Sequence, residues 1–355
     1  MAEYILVINP GSTSTKVGLF DGEDRISEEV IRHDAAEIGH FDNVADQFQY
    51  RMQLINRWLE AHREKINQLK AVVGRGAPLK PLEGGSYEIT DAMLDDLKNR
   101  RWSNHASNLG AIIARHLGER YGVPSLVTDP VTVDNFTDLA RISGVPGIER
   151  RCRAHTLNIK AVSRRVAEQA GKKLEDVNFV TAHLGAGISI AALKGGKVVD
   201  VNDGLLGMGP FSPERAGAVP IGALVKLCYS GKYSEKEIVD ILSKKSGLMG
   251  YIGTNDLREV ENRIKAGDEN AKLYFDAMAY QIAKEIGIAA VALAGDFEAV
   301  ILTGGMVHAQ MLVDEIKKYV SFLGTVIVVP GEFEMEALAA AGVRYLSGQE
   351  ELHKY

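Results

Sequence analysis

The sequence has few cysteines, a small net charge and no long apolar segment, and each shortage excludes a class of protein. Its 355 residues include only Cys152 and Cys228, far apart and in no Cys/His cluster, so we expect two reduced thiols rather than a disulfide or metal site. Lys and Arg number 41 against 47 Asp and Glu, and this balance gives no general attraction to nucleic acid or an anionic membrane. No basic leader precedes the first apolar run, and no run approaches the roughly 20 residues of a membrane span, so we expect a cytoplasmic protein.

A strand–loop–strand pattern occurs twice, about half a chain apart, and indicates an internal duplication. In each copy a short apolar strand enters a glycine loop, a second strand follows, and a Gly-containing turn leads to a third. The first copy comprises Tyr4–Ile8, Gly11–Ser14, Lys16–Phe20 and Arg25–Arg32. The second comprises Phe179–Leu184, Gly185–Gly187, Ile188–Leu193 and Val198–Val201. Amphipathic helices fill the intervals, so the pattern predicts an α/β protein of two similar domains with a cleft between them.

Three glycine loops follow predicted strands, at Asn9–Lys16, His183–Gly187 and Thr303–Gly305. Glycine admits positive φ and lets backbone N–H groups approach an anion, so three such loops favour a nucleotide phosphate site, although one alone reads better as a tight turn. The chain contains no GxxxxGK[ST] sequence, and its first loop enters a strand without a GxGxxG sequence. These features exclude a P-loop protein and disfavour a Rossmann dehydrogenase.

The duplicated arrangement resembles the actin-like and sugar-kinase superfamily, whose domains are ribonuclease-H-like. Val7–Lys16 is similar to the N-terminal signature of the acetokinase family, and Ala182–Gly187 to its second signature. Gly74–Gly76, Val127–Asp129 and Glu214–Gly217 follow the family order. The segments Gly74–Tyr87 and Pro330–Leu338 look more like the butyrate-type than the acetate-type members. Three segments depart from the acetate-type pattern. Ala186 stands where that type has Asn, only His155 remains of a His-Gly-Thr-Ser stretch, and Glu214–Ala218 replaces a Thr-Arg-Ser-Gly-Asp stretch.

The resemblance implies ATP or ADP and Mg²⁺ as cofactors, a small carboxylic acid as substrate and a homo-oligomeric assembly. It also implies an N-terminal acyl and phosphate domain, residues 1–132 with 337–355, and a C-terminal nucleotide-binding domain, residues 133–336. Chemically, joining two anions calls for positioning and charge neutralisation.

The family's catalytic positions correspond to six residues here: Asn9, Arg75, Asp129, His155, His183 and Arg215. His105 is a further candidate. Arg75 would grip the acyl carboxylate and Arg215 the transferring phosphoryl group. His183 would donate a hydrogen bond to phosphoryl oxygens. The alternative interpretation is a buried structural histidine whose hydrogen bonds are made within the core. Asp129 either positions metal-bound water or caps a turn.

The resemblance also implies contacts with the nucleotide and the metal. Those to phosphate and adenine are Ser12, Ser14, Lys16, Gly185, Gly187, Asp256, Leu257, Arg258, Gly304 and Gly305. Glu334 would hold Mg²⁺, with Glu332 and Glu336 close enough to leave that position open.

The resemblance implies a short-chain fatty acid kinase that phosphorylates butyrate or isobutyrate by direct in-line transfer. The alternatives are an acetate or propionate kinase, or a sugar or polyol kinase with Asp129 as general base. A neutral acceptor needs no carboxylate clamp, so the pair Arg75 and Arg215 disfavours the sugar kinase. An ATP-driven assembly module is disfavoured by the compact chain, and a metalloprotein by the lack of a ligand cluster.

Overall fold

The computed structural model describes residues 3–355, which divide into two units. Unit 1 comprises the described residues up to Asp134 together with Phe333–Tyr355, and unit 2 comprises Asn135–Glu332. The C-terminal segment therefore returns to the unit in which the described chain begins.

Unit 1 contains a six-stranded sheet with helices on both faces. Its strands are β1 (Tyr4–Pro10), β2 (Ser14–Asp21), β3 (Asp24–Arg32), β4 (Leu69–Arg75), β5 (Ser86–Glu88) and β6 (Ser125–Thr128). Its helices before Asp134 are α1 (Ala35–Gly39), α2 (Phe48–Ala61), α3 (Arg63–Ile66), α4 (Asp91–Lys98) and α5 (Asn108–Tyr121), with a 3₁₀ turn at Val44–Gln47.

Unit 2 contains a five-stranded sheet and a separate hairpin. Its strands are β7 (Ile142–Val145), β8 (Ile148–Glu149), β9 (Asn178–Leu184), β10 (Ile188–Lys194), β11 (Lys197–Val201), β12 (Ala299–Gly304) and β13 (Val326–Pro330). Its α-helices are α6 (Asp138–Arg141), α7 (Thr156–Gln169), α8 (Ile221–Cys228), α9 (Glu235–Lys244), α10 (Gly247–Ile252), α11 (Leu257–Lys265), α12 (Glu269–Ala292) and α13 (Gln310–Val320). Its 3₁₀ turns are Leu174–Asp176, Gly305–His308 and Ser321–Leu323. The last helix, α14 (Glu334–Leu346), belongs to unit 1.

The two large sheets share one topology, which confirms the predicted duplication and the actin-like fold. The strand orders are β3-β2-β1-β4-β6-β5 in unit 1 and β11-β10-β9-β12-β13 in unit 2. In both, neighbouring strands among the first three of the order are antiparallel, and the next two lie parallel to the strand that begins the repeat. Unit 1 has an additional antiparallel edge strand, β5. The carboxyl ends of the parallel strands therefore lie on one edge of each sheet, where α/β proteins bind ligands.

The central strands of both sheets are almost continuously apolar and are buried on each face. In unit 1, α2 and α5 cover one face and α14 covers the other. Gly342 lets α14 approach closely, since a Cβ there would lie 3.1 Å from side-chain atoms of Ile5 and Val73. In unit 2, α12 packs on β9 and β10, and α7 packs against β9 and β12. These packed faces hold the strand ends in place.

Some local elements have a clear sequence signal, and others have none. Ser234 and Glu237 form the reciprocal hydrogen bonds of a capping box at the start of α9. The β7–β8 hairpin was not predicted, because Ile142, Val145 and Ile148 are exposed and lack the alternation of a half-buried strand. Cys152 is buried, Cys228 is exposed, and both are free thiols. None of the helices within residues 3–355 is long and apolar enough to span a bilayer.

Candidate active site

In unit 1, three predicted residues meet at the carboxyl ends of β1 and β4. Asn9 is the penultimate residue of β1, Arg75 ends β4, and Glu334 begins α14. Asn9 Nδ2 donates to Glu334 Oε2 at 3.0 Å, and Arg75 Nη1 lies 2.5 Å from Glu334 Oε1. One carboxylate thus connects the ends of two strands. We call Asn9, Arg75 and Glu334 together the Glu334 cluster.

Arg75 is mostly buried and one of its donors is unused. Its side chain is 13% exposed, and within the described chain its buried Nε has no hydrogen-bond partner. The flanking glycines are required for packing rather than for positive φ: a Cβ at Gly74 would overlap the carbonyl of Gly110, and one at Gly76 would overlap Pro130. These close approaches fix the end of β4 against α5 and against the segment after β6.

Two further candidates of unit 1 lie on other segments. His105 Nδ1 pairs with Ser107 Oγ at 2.8 Å, and partial enclosure of the ring followed by the charge of Arg75 lowers the pKa of His105. Asp129, directly after β6, is buried and has φ of 38°, a conformation that costs energy in residues other than glycine. Its Oδ1 accepts from the N–H of Gly85 and its own N–H donates to the Gly85 carbonyl, so Asp129 holds a turn.

The loop Gly11–Ser14 is held by an arginine that the sequence analysis did not single out. Ser12 is exposed, Ser14 and Lys16 are half-buried, and the N–H of Gly11 donates to the carbonyl of Ser14 at 2.7 Å. Beneath the loop lies Arg51, with 0% exposure. A signal was present in the sequence, because Arg51 precedes Ile55 and Leu59 at four-residue spacing on the apolar face of α2.

In unit 2, His155 and His183 form a stacked pair at the end of β9. Their ring centroids are 4.0 Å apart with the planes at 15°. His183 is buried and its Nδ1 lies 2.9 Å from Asn158 Nδ2, while His155 Nδ1 lies 2.9 Å from Ser189 Oγ. These partners on α7 and β10 set both ring orientations. His183 Nε2 lies on the side of Glu332, 3.9 Å from Oε1.

Arg215 lies beside the histidine pair and the second glycine loop. Its backbone N–H donates to Ser212 Oγ at 3.1 Å, its Nη1 donates to the carbonyl of Gly204, and its buried Nε has no partner in the described structure. Burial lowers the pKa of Arg215. A side chain at Gly187 would overlap the Arg215 guanidinium and come within 3.2 Å of His155, so glycine permits this close approach.

The glycines of the other two loops differ in their roles. Among the loop glycines predicted to bind phosphate, Gly304 alone has positive φ, at 97°, whereas Gly185, Gly187 and Gly305 do not. A Cβ at Gly304 would overlap the carbonyl of Leu184, and Gly304 also exchanges two backbone hydrogen bonds with Gly331. Gly305 is open, with nothing within 4 Å of a Cβ placed there. Positive φ and close packing therefore both require glycine at position 304, and close packing requires it at position 187, whereas neither accounts for Gly185 or Gly305.

A cavity of about 510 Å³ in unit 2 joins the predicted adenine segment to the third glycine loop. Its lining residues are Ala186, Pro213, Glu214, Asn255, Asp256, Leu257, Arg258, Glu261, Gly305, Met306, His308 and Ala309. Asp256 caps α11 and also binds its neighbour Arg258, with Arg258 Nη2 2.9 Å from Asp256 Oδ2. Arg258 is largely exposed, and Leu257 contributes to the core of unit 2.

The three candidate metal glutamates have different neighbours. Glu334 is in its cluster in unit 1, Glu332 lies near His183 in unit 2, and the half-buried Glu336 lies 3.7 Å from Arg25. No group of three His, Cys, Asp or Glu side chains in the described part of the chain is placed to hold a metal ion. A protein-only metal site is therefore not formed by these residues.

The fold of two duplicated actin-like domains is similar to that of kinases of known structure. It matches the crystal structures of Porphyromonas gingivalis acetate kinase (TM-score 0.80, 24% identity, 97% of this chain and 100% of that one) and a Francisella tularensis propionate kinase (TM-score 0.74, 20% identity, 96% and 98%). It also matches Entamoeba histolytica acetate kinase (TM-score 0.74, 19% identity, 95% and 98%). A sequence model of the Acetokinase family matches residues 143–329, and the chain belongs to that family.

Proposed function

We propose that the protein is a short-chain fatty acid kinase. It transfers the γ-phosphoryl group of ATP to the carboxylate of butyrate, or of a branched analogue such as isobutyrate, and forms an acyl phosphate and ADP in a reversible reaction. The observation that carries this proposal is the buried Arg75 guanidinium, whose Nε has no partner within the described residues. A buried donor left without an acceptor costs about 1–3 kcal/mol, and a carboxylate would satisfy it.

Unit 1 supplies the binding group for the acid. Glu334 holds Arg75 through Nη1, which leaves the Nε and Nη2 edge of the guanidinium for a bidentate carboxylate. Asn9 fixes Glu334 from the other side, so the arginine is oriented before the substrate arrives. Pre-orientation lowers the entropic cost of bringing two anions together.

Unit 2 supplies the groups for the nucleotide and for the transferring phosphoryl group. The cavity at Asp256–Arg258 and Gly305 takes the adenosine part, with Arg258 at its exposed side. One carboxylate oxygen of the acid attacks the γ-phosphorus in line, and the bond from phosphorus to the β,γ-bridging oxygen breaks, so that ADP leaves with the electron pair. The Arg215 Nε and the buried His183 donate to the equatorial oxygens on which charge accumulates.

Mg²⁺ fits this chain only as an ion shared with the nucleotide. The described donors offer single carboxylates rather than a cage, and Mg²⁺ commonly takes one or two carboxylates together with phosphate oxygens and water. Glu334, oriented by Asn9 and Arg75, is the carboxylate we assign to it. The bound ion supplies neutralisation of phosphate charge.

The preference for four-carbon acids depends on the segment after Arg75. Gly76, Ala77, Pro78 and Leu79 are small or apolar and match the butyrate-type pattern. Ala77 and Leu79 are buried in the core of unit 1 and hold the segment in place, and the half-buried Pro78 is its apolar side chain that reaches the surface. Two added methylenes at about 0.8 kcal/mol each correspond to a factor near 15 in kcat/KM over acetate.

The test is acyl hydroxamate formation with MgATP, hydroxylamine and one acid at a time, comparing kcat/KM for acetate, propionate, butyrate, isobutyrate and hexanoate. We expect butyrate and isobutyrate to be the best substrates, propionate to be intermediate, and hexanoate to be rejected by overpacking. Arg75→Lys retains a charge without the fork and is expected to raise KM for the acid. Phosphorylation of a sugar with no hydroxamate from any acid would overturn the proposal, whereas a preference for acetate would overturn only the four-carbon specificity.

A further inference from the structure

Arg51, the fully buried arginine of α2, donates hydrogen bonds to three backbone carbonyls of the first glycine loop and to two neighbouring side chains. Its Nη1 donates to the carbonyls of Gly11 at 2.9 Å and Ser14 at 3.2 Å, and to Thr15 Oγ1 at 3.1 Å. Its Nη2 donates to the carbonyl of Ser12 at 3.3 Å. Both Nη2 and Nε donate to Gln47 Oε1, at 2.7 and 3.1 Å.

Every carbonyl oxygen from Gly11 to Ser14 accepts a hydrogen bond from within the protein. Arg51 donates to those of Gly11, Ser12 and Ser14, and the backbone N–H of His33 donates to that of Thr13 at 2.9 Å. By contrast, the N–H groups of Ser12 and Thr13 have no hydrogen-bond partner within residues 3–355. A loop whose carbonyls are all occupied and whose successive N–H groups are free has the polarity of an anion-binding nest.

The same arginine places a positive charge beneath the loop. None of its hydrogen-bond partners is a carboxylate, which is unusual for a guanidinium with 0% exposure. Burial lowers the pKa of Arg51 to about 10, so the group is charged at neutral pH. Burial, and then the charge of Arg51, lower the pKa of His33 to about 4, so His33 stays neutral and Arg51 is the charged member of this pair.

If Arg51 served only to anchor helix α2 to the loop, one or two hydrogen bonds from a neutral side chain would be enough. Here a buried guanidinium satisfies three loop carbonyls, although a neutral side chain would avoid the cost of desolvating a charge. That cost is offset when an anion binds on the other side of the loop, because the buried charge attracts it at short range.

We propose that Arg51 is the positioning residue of the phosphate loop. It holds the carbonyls of Gly11, Ser12 and Ser14 inward, so that the N–H groups of Ser12 and Thr13 bind phosphoryl oxygens of the nucleotide. This inference rests on the proposed function, since that function supplies the phosphoryl anion. Arg51 does not touch the substrate; it acts through the loop.

The test compares Arg51→Lys, Arg51→Met and the control Arg57→Met, an exposed arginine of the same helix. Lysine retains the charge but does not reach all the loop carbonyls at once. Because small misplacements of reacting groups cost about 10²-fold, we expect Arg51→Lys to lower kcat by about that factor with KM for the acid nearly unchanged. Arg57→Met is expected to match the wild type.

A second measurement is independent of acid turnover. Amide hydrogen exchange of the segment from Asn9 to Lys16 is followed with and without magnesium pyrophosphate. We expect protection by pyrophosphate in the wild type and in Arg57→Met, and its loss in both Arg51 variants. If an Arg51 variant does not fold, Gln47→Leu takes its place, since it removes the acceptor that orients the guanidinium.

The two proposals fail in different ways. Absence of hydroxamate from every acid, together with protection of the loop in the wild type, removes the fatty acid kinase and leaves the role of Arg51 supported. Folded Arg51 variants with wild-type kcat and wild-type protection overturn the positioning role. A wild-type loop that pyrophosphate does not protect overturns it as well, because no anion then binds the N–H groups.

Discussion

At the scale of single residues, Arg75 and Arg215 share an incomplete set of hydrogen bonds. Each is partly or mostly buried, each has one Nη atom bound to the protein, and the Nε of each has no partner in the described structure. A guanidinium presents its donors as a rigid planar fork, so anchoring one corner orients the others. Each unit therefore presents one oriented guanidinium with a donor available to bind an anion.

We predict that Arg215→Ala lowers kcat by about 10³–10⁵, the range found for arginines that stabilise a transferring phosphoryl group. Binding of ATP, measured by titration calorimetry, is expected to change much less, because the interaction strengthens in the transition state. The matched control is Arg164→Ala, an arginine of unit 2 that pairs with Glu175 at 3.4 Å. A kcat within about tenfold of the wild type would place Arg215 outside the catalytic machinery.

At the scale of elements, three glutamates at or just before the start of α14 contact different neighbours. Glu334 and Glu336 occupy its first turn, and Glu332 precedes it. Only Glu334 contacts Asn9 and Arg75, the residues at the ends of two strands of unit 1. A helix rotates successive side chains by about 100°, so neighbours in sequence reach different partners.

We predict that Glu334→Gln raises the Mg²⁺ concentration for half-maximal activity by about tenfold or more, since loss of a supporting group commonly costs 10–100-fold in metal affinity or activity. Glutamine keeps the shape and the acceptor for Asn9 but removes the charge. Glu332→Gln and Glu336→Gln serve as matched controls, and activity is titrated with Mg²⁺ at fixed ATP. A larger shift in either control would assign the metal to that glutamate.

At the scale of the whole molecule, two units of the same topology carry different residues at corresponding strand ends. Asn9 pairs with Lys16 across β1 and β2, and His183 pairs with Ser189 at the corresponding position of β9 and β10. Unit 1 adds the Glu334 cluster, while unit 2 adds the cavity at Asp256–Arg258. Two units with the same fold but different residues at the strand ends can therefore bind different parts of the substrates.

We predict that the acid and the adenosine part of ATP are recognised by different units. Arg75→Lys in unit 1 is expected to raise KM for the acid at least about tenfold with KM for ATP unchanged, because the bidentate contact is lost. Arg258→Ala in unit 2 is expected to raise KM for ATP by a few-fold with KM for the acid unchanged, because an exposed cation contributes only about 0.5–1 kcal/mol. Initial rates over a grid of both concentrations measure all four values. Equal changes in both constants for either variant would contradict this division.

The sequence by itself determined the α/β class, the duplication and the order of the strands along the chain. Apolar runs, glycine loops and hairpin turns are local signals, and they place β1–β3 and β9–β11 within a few residues. The motifs also single out Arg75, His183 and Arg215. Those residues lie at strand ends or in glycine-bordered loops, where local pattern and chemistry coincide.

Only the tertiary structure decided which of these residues meet. The pairing of Glu334 with Asn9 and Arg75 joins positions more than 250 residues apart in sequence, and no local pattern distinguishes Glu334 from Glu332 or Glu336. Gly74, Gly76 and Gly187 proved to be needed for packing against Gly110, Pro130 and Arg215, because steric overlap depends on neighbours brought in by folding. Arg51 is the clearest case. Its position in α2 was evident from the helical period, but its role depends on the loop carbonyls that converge on it in three dimensions.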